Sequence, residues 1–272
     1  MAVKSVERCR RKKLMNEVGV FHNLIHKNVM RFHNWYETRN HLWMILEYCP
    51  GGDLYSLLEA EKRLPETTVR KFAFELLEGL SYLHENGVIF ADLKPANILL
   101  NEFSQLKYGD FGLSKKIADL HQKGPTPDAN PDEKQGAPYY MAPELFQDAG
   151  VYSFASDFWS LGCLLYEMLT GKPPFFSNSL KTLIQMIQSD QPEPIPDLSS
   201  EFAELLSMLL NKDPMQRPNW AELKDHAVWT CATPLYEFKP VRVTYPEQPH
   251  FALFALQQYG ITDLARYYEL RK

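Results

Sequence analysis

The stretch FWSLGCLLYEML, residues 158–169, is the strongest constraint on how this chain folds, because it is apolar on nearly every face of the helix it favours. A helix of that kind must be surrounded by lipid or by protein. Twelve residues fall well short of the roughly 20 needed to cross a bilayer, and Glu167 lies inside the run. Residues 157–170 are therefore expected at the centre of a folded domain. Cover for them is available, since 45% of the 272 residues are apolar, enough for one sizeable core or two small lobes.

The rest of the chain indicates how that cover is arranged. Residues 1–6 and 42–48 read as short strands bounded by polar turns, and KLMNEVGVFHNLI (13–25) repeats its apolar residues at helical spacing. The clearest amphipathic helix is 65–87, with Pro65 at its first turn, Gly87 at its C-terminal end, and Val69, Phe72, Ala73, Leu76, Leu80 and Leu83 on one face. Further helices are expected at 179–188, 200–211 and 219–227. Strands first and helices after make an α+β chain of two lobes. KGPTPDANPDEKQG (123–136) is too rich in Pro, Gly and charge to fold alone. Residues 244–272 read as a proline-rich linker followed by an amphipathic helix that docks on the second lobe or begins a repeat region.

Bulk properties exclude several function classes. A net charge of −5 favours neither nucleic acid nor an anionic membrane surface as partner. MAVKSVERCRRKK lacks the apolar run of a signal peptide. Cys9, Cys49, Cys163 and Cys231 are dispersed without a CxxC pair, which suits reduced thiols. The expectation is a soluble cytoplasmic protein.

Short motifs follow one another in a definite order. Ala2-Val3-Lys4 precedes Glu17 on the first helix; EYCPGGDL (47–54), DLKPAN (92–97), DFG (110–112), APE (142–144) and SDFWSLGCLLYE (156–167) follow. Any one of them could arise by chance; the ordered set could hardly do so. From residue 1 to about 229 the chain resembles the protein kinases, and Lys94 resembles the Ser/Thr type. HKNVMRFHNWYETRNHLWMILEYCPGGDL (26–54) and YSFASDFWSLGCLLYEMLTGKPPF (152–175) resemble the Fused, Runkel and fourth Unc-51-like kinases, a group that mixes active enzymes with pseudokinases.

That resemblance implies a bilobal kinase fold with a truncated N-lobe sheet at 1–49, a helical C-lobe at 50–229 and a C-terminal extension at 230–272. It implies ATP and Mg2+ as ligands and a protein bearing a Ser/Thr hydroxyl as substrate. It further implies a microtubule-associated or scaffold partner in cytoskeletal, ciliary or cytokinetic structures. Phosphoryl transfer passes through a loose transition state, so the protein mainly positions groups and neutralises charge. Lys4 would hold the α- and β-phosphates, steadied by Glu17. Asp110 and Asn97 would supply hard oxygen ligands to magnesium. Asp92 would take the proton of the incoming hydroxyl, with Lys94 near the transferring phosphate. Ala2 and Leu99 would sandwich the adenine, backbone groups of Glu47 and Cys49 would bond its edge, and Asp53 would contact the ribose.

Other matched positions read as structural. Glu144 and Arg217 match a buried ion pair, and Asp157 matches an acid that caps the central helix and holds the catalytic-loop backbone. His22 and His26 have no further ligand at useful spacing, so metal binding is not expected of them. ERCRRKK (7–13) reads as a solvated connection between strand and helix.

The chain departs from the family pattern at four places. Phe90 and Ala91 stand where His and Arg usually precede the catalytic Asp. Phe90 is expected to fill the role of a packing residue against Phe111, whereas Ala91 removes the usual clamp on an activation-loop phosphate, so phosphorylation at Thr126 should matter little. Ala137 replaces a Thr whose hydroxyl orients the Asp. No GxGxxG occurs, and only three residues precede Lys4; a sequence that starts short of its glycine loop is the favoured reading. The expected function is a slow Ser/Thr kinase, with a nucleotide-binding pseudokinase scaffold as the alternative.

Overall fold

The structure is a computed structural model that describes residues 1–7, 9, 11–118, 138–147 and 150–230. Thr126, Ala137, the 123–136 segment and residues 231–272 lie outside the described residues.

A three-stranded antiparallel sheet opens the chain, in the order β1 (Ala2–Glu7), β3 (His41–Leu46), β2 (Phe32–Glu37). Lys4 pairs with Met44 across β1 and β3. β2 was not anticipated: FHNWYE lacks a clean alternation, and a bulge between Phe32 and Asn34 shifts its register against β3. Helix α1 (Arg11–Phe21) follows β1 and buries Leu14, Val18 and Phe21. It ends four residues before the expected 25. Leu24 is still buried, but in a turn closed by its amide on the Phe21 carbonyl, so its apolar spacing looked helical where the backbone is not.

Residues 47–53 lead into α2 (Leu54–Glu61), whose first turn is capped by the Asp53 side chain accepting from the Ser56 amide at 2.7 Å. Helix α3 (Glu66–Glu85) buries the whole expected stripe. Gly79 lets it approach β6 (Leu106–Tyr108), because a Cβ there would lie 2.7 Å from the Tyr108 ring. β4 (Val88–Ile89) pairs with β7 (Lys115–Lys116), and β5 (Ile98–Leu100) pairs with β6. These two small ribbons frame the loop 90–97.

The all-apolar run is in α4 (Phe154–Thr170) and is buried throughout except at Glu167, which accepts a 2.6 Å bond from the Tyr140 hydroxyl. Ser153 and Ser156 form the capping box that starts α4, and Gly171 in the left-handed region ends it. Asp157 does not cap this helix, a task that Ser153 takes, but the other half of its expected role holds: its carboxylate accepts from the catalytic-loop amides of Phe90 and Ala91. α5 (Leu180–Ser189), α6 (Ser200–Leu209) and α7 (Trp220–Lys224) complete the helical lobe. Arg217, its side chain fully buried, donates to both Glu144 oxygens at 2.7 Å. No helix among the described residues is long and apolar enough to cross a membrane.

Candidate active site

Three charged groups far apart in sequence meet between the sheet and the helical lobe. Lys4 Nζ lies 2.8 Å from Glu17 Oε1 and 3.2 Å from Asp110 Oδ1. Antiparallel pairing with β3 fixes Lys4, α1 presents Glu17, and the Gly112 amide donates to Asp110 Oδ1 at 3.0 Å. Burial alone would lower the Lys4 ammonium, but the two carboxylates outweigh it and hold it above its ordinary value. Burial likewise favours a neutral Asp110, yet Lys4 and the Gly112 amide leave its carboxyl below the usual range. Glu17 ends above its ordinary value, because burial and nearby Asp110 outweigh Lys4.

A column of aromatic rings ties this cluster to the catalytic loop. Phe32 meets Phe21 edge-on at 5.7 Å, Phe21 stacks on Phe111 at 4.4 Å, and Phe111 meets Phe90 edge-on at 5.3 Å. Phe90 also packs against Tyr108 at 5.0 Å. The expected Phe90–Phe111 contact is thus present, and Phe111 is fully buried behind Asp110. Phe21, one turn after Glu17, could have been found by its i+4 spacing; Phe32 could not.

The loop itself is held from below. Asp157, 1% exposed, accepts from the amides of Phe90 (2.8 Å) and Ala91 (2.9 Å), and His84 Nε2 lies 2.9 Å from the same carboxylate. Ala91 adopts φ +66°, a left-handed conformation unusual for a residue with a Cβ. His84 went unnoticed in the sequence, where it is one polar residue at the end of a helix.

Next in the loop, Asp92 Oδ2 accepts from Lys94 Nζ at 2.8 Å and from Asn97 Nδ2 at 2.7 Å, and Asn97 Nδ2 also reaches the Asp92 carbonyl at 2.7 Å. Among the described residues Asp92 Oδ1 accepts no hydrogen bond, both side-chain donors going to Oδ2. The Gly109 amide donates to the Asn97 carbonyl at 2.9 Å, which sets Asn97 beside the segment bearing Asp110. The Asp110 carboxylate and the Asn97 amide oxygen are hard donors suited to Mg2+. No group of three or more His, Cys, Asp or Glu among the described residues could hold a metal alone. His22 and His26 bond the Val18 carbonyl and the Asn28 amide instead.

Ala2 on β1 of the sheet and Leu99 on the separate β5–β6 ribbon are both half-buried. Leu99 is bridged to Asp53, and Gly51 and Gly52 bond the Leu100 backbone, which places residues 47–53 against β5. Glu47 directs its side chain to Lys107 (2.9 Å) and the Arg31 amide (2.9 Å). Among the described residues the Glu47 carbonyl and the Cys49 amide make no backbone hydrogen bond. Burial, then the Glu47 charge, pushes the Cys49 thiol up to about 11, so it stays protonated. One Asp53 oxygen is already spent on the α2 cap.

A small sheet with one buried helix, a helical lobe and this charged cleft between them define a protein kinase domain. The chain belongs to that family, matching the protein kinase domain model over residues 1–229. It is 47% identical over 251 residues to serine/threonine-protein kinase RUNKEL of Arabidopsis thaliana, covering 92% of this chain and 17% of that protein. It is 38% identical over 255 residues to serine/threonine-protein kinase ULK4 of Mus musculus (85% and 20%). It is also 38% identical over 217 residues to MAP3K epsilon protein kinase 1 of Brassica napus (78% and 16%). The chain therefore spans a fifth or less of the length of these curated relatives.

Proposed function

We propose that this chain is an ATP-dependent protein serine/threonine kinase that moves the γ-phosphate of ATP to a protein Ser or Thr hydroxyl. The observation that carries this reading is the closed set Glu17–Lys4–Asp110, assembled while the Phe21–Phe111–Phe90 contacts are continuous. In this reading residues 1–49 and 50–229 act as the two lobes. Ala2, Leu99 and the backbone of Glu47 and Cys49 hold the adenine, and Asp53 meets the ribose with its remaining oxygen. Lys4 leaves Asp110 to hold the α- and β-phosphates while Glu17 keeps it in place. Asp110 and Asn97 would hold Mg2+, which would neutralise charge on the phosphate oxygens. Asp92 accepts the substrate hydroxyl proton on Oδ1, and the oxygen so freed attacks the γ-phosphorus as the bond to ADP breaks. Lys94, held by Asp92 Oδ2, balances charge on the transferring group. With Ala137 in place of a Thr, we expect turnover below the roughly 1–100 per second usual for kinases.

The test is phosphate incorporation into a generic Ser/Thr protein substrate beside Asp92→Asn and Asp110→Asn. Incorporation lost in both variants supports the reading; a parent indistinguishable from both overturns it. The second reading, a nucleotide-binding pseudokinase scaffold, draws on Ala91, which lacks the phosphate clamp. It carries with it a cytoplasmic, microtubule-associated setting. A thermal shift with ATP but no incorporation would select it.

A further inference from the structure

The loop that carries Asp92 has a neighbour on each side. On one side β4 ends at Ile89, which pairs with Lys115 of β7. Ser114, beside Lys115, is buried and donates from Oγ to the Phe90 carbonyl at 3.0 Å. On the other side Tyr152, directly ahead of the α4 cap Ser153, lines a small cavity together with Ala91, Asp92, Ser156 and Asp157. Burial, then the charges of Asp92 and Asp157, pushes the Tyr152 hydroxyl up to about 12. The ring is therefore neutral and stands within the field of the Asp92 carboxylate.

The two sides touch. Lys115 Nζ stands over the Tyr152 ring, 5.1 Å from its centroid, and both residues are half-buried. A cation so placed is attracted by the negative face of the ring, and partial desolvation strengthens the attraction. The contact joins the strand that follows Asp110 to the entry of α4, the helix that bears Asp157. Each of these elements already grips the loop: Ser114 through the Phe90 carbonyl, and Asp157 through the amides of Phe90 and Ala91. Tying Lys115 to Tyr152 keeps the two grips at a fixed distance. Neither partner needs a modification to do so, and Ala91 offers no side chain that could hold a phosphate. We propose that Lys115 and Tyr152 form a phosphate-independent clasp around the catalytic loop, and that both are positioning residues for Asp92. The effect of the clasp on turnover rests on the kinase reading above; its hold on the loop does not.

The test takes two readouts on the full chain: hydrogen exchange of the Phe90 and Ala91 amides, and kcat for phosphate incorporation with KM for ATP measured beside it. Lys115→Met and Tyr152→Leu should each speed exchange about threefold and lower kcat about threefold at unchanged KM, the size expected for one lost cation–ring contact. The double variant should go no further than the single ones, since one contact is lost either way. Tyr152→Phe keeps the ring and Lys115→Arg keeps the cation, so each should restore the parent values. Lys116→Met makes the same charge change on the same strand and should move neither readout. Phosphatase-treated parent should match the untreated parent. Exchange equal to the parent in both Lys115→Met and Tyr152→Leu overturns the proposal, whatever turnover shows. A fall in kcat beyond about threefold after phosphatase treatment overturns it too, by making a phosphate the holder of the loop. A parent that incorporates no phosphate, with exchange responding as expected, sinks the kinase reading and supports the clasp.

Discussion

Replacing Asp157 by Ala isolates the support beneath the catalytic loop. The carboxylate is 1% exposed and serves three donors: the Phe90 amide at 2.8 Å, the Ala91 amide at 2.9 Å and His84 Nε2 at 2.9 Å. Ala91 sits at φ +66°, a conformation that costs about 1–2 kcal/mol for a residue with a Cβ. Hydrogen bonds to a charged acceptor contribute about 1.5–3 kcal/mol each, so the two amide bonds outweigh the strain with some margin. Without them the Phe90 amide and His84 are stranded in an apolar surround, Ala91 relaxes toward negative φ, and Asp92 turns away from Asn97. The expected loss is about 3–5 kcal/mol of folding stability. Urea unfolding measures it, with phosphate incorporation followed in parallel. A companion variant tests the strain separately: Ala91→Gly tolerates φ +66° and should stabilise the parent by about 1 kcal/mol, with a smaller gain in the Asp157→Ala background, where the loop has relaxed. A loss under about 1 kcal/mol for Asp157→Ala, or no gain from the glycine in the parent, would refute the argument that the carboxylate holds a strained loop.

Three further outcomes are expected. Phe90→Ala opens a cavity between Phe111 and Tyr108 and should cost about 3–5 kcal/mol in urea unfolding, whereas Phe90→Leu should cost clearly less. Glu144→Gln leaves the buried Arg217 guanidinium without its counter-charge and should lower stability by about 3–5 kcal/mol, read as a fall in urea midpoint. Asp110 has a carboxyl lowered in the folded state, so its stabilisation is complete above the unfolded value near 3.8 and is lost as pH falls through the folded value. Thermal melts from about pH 5 to about pH 2 should therefore show a steeper acid-dependent loss in the parent than in Asp110→Asn, and identical profiles would contradict it.

Much of this protein was legible in one dimension because the signals are local. The all-round apolar run marked α4 as central, since no other location could satisfy it. The α3 stripe was read residue by residue because a 3.6-residue period depends only on neighbours along the chain. Phe90 could be assigned to packing through the resemblance, which puts a packing residue at that place. What spacing could not supply is any contact that depends on how separate elements are stacked. Lys4 and Asp110 are 106 positions apart and meet only because β1 pairs with β3 over the cleft. Asp157 matched, by resemblance, an acid that caps the central helix and holds the catalytic loop; Ser153 takes the cap, and packing of α3 on α4 turns the carboxylate to Phe90, Ala91 and His84. Phe32 enters the aromatic column through a bulged strand that its own alternation did not announce. Local periodicity determined which segments are helices and which must be buried. Which side chains then face one another was decided by tertiary packing, where burial and hydrogen-bond satisfaction compete across distances the sequence does not encode.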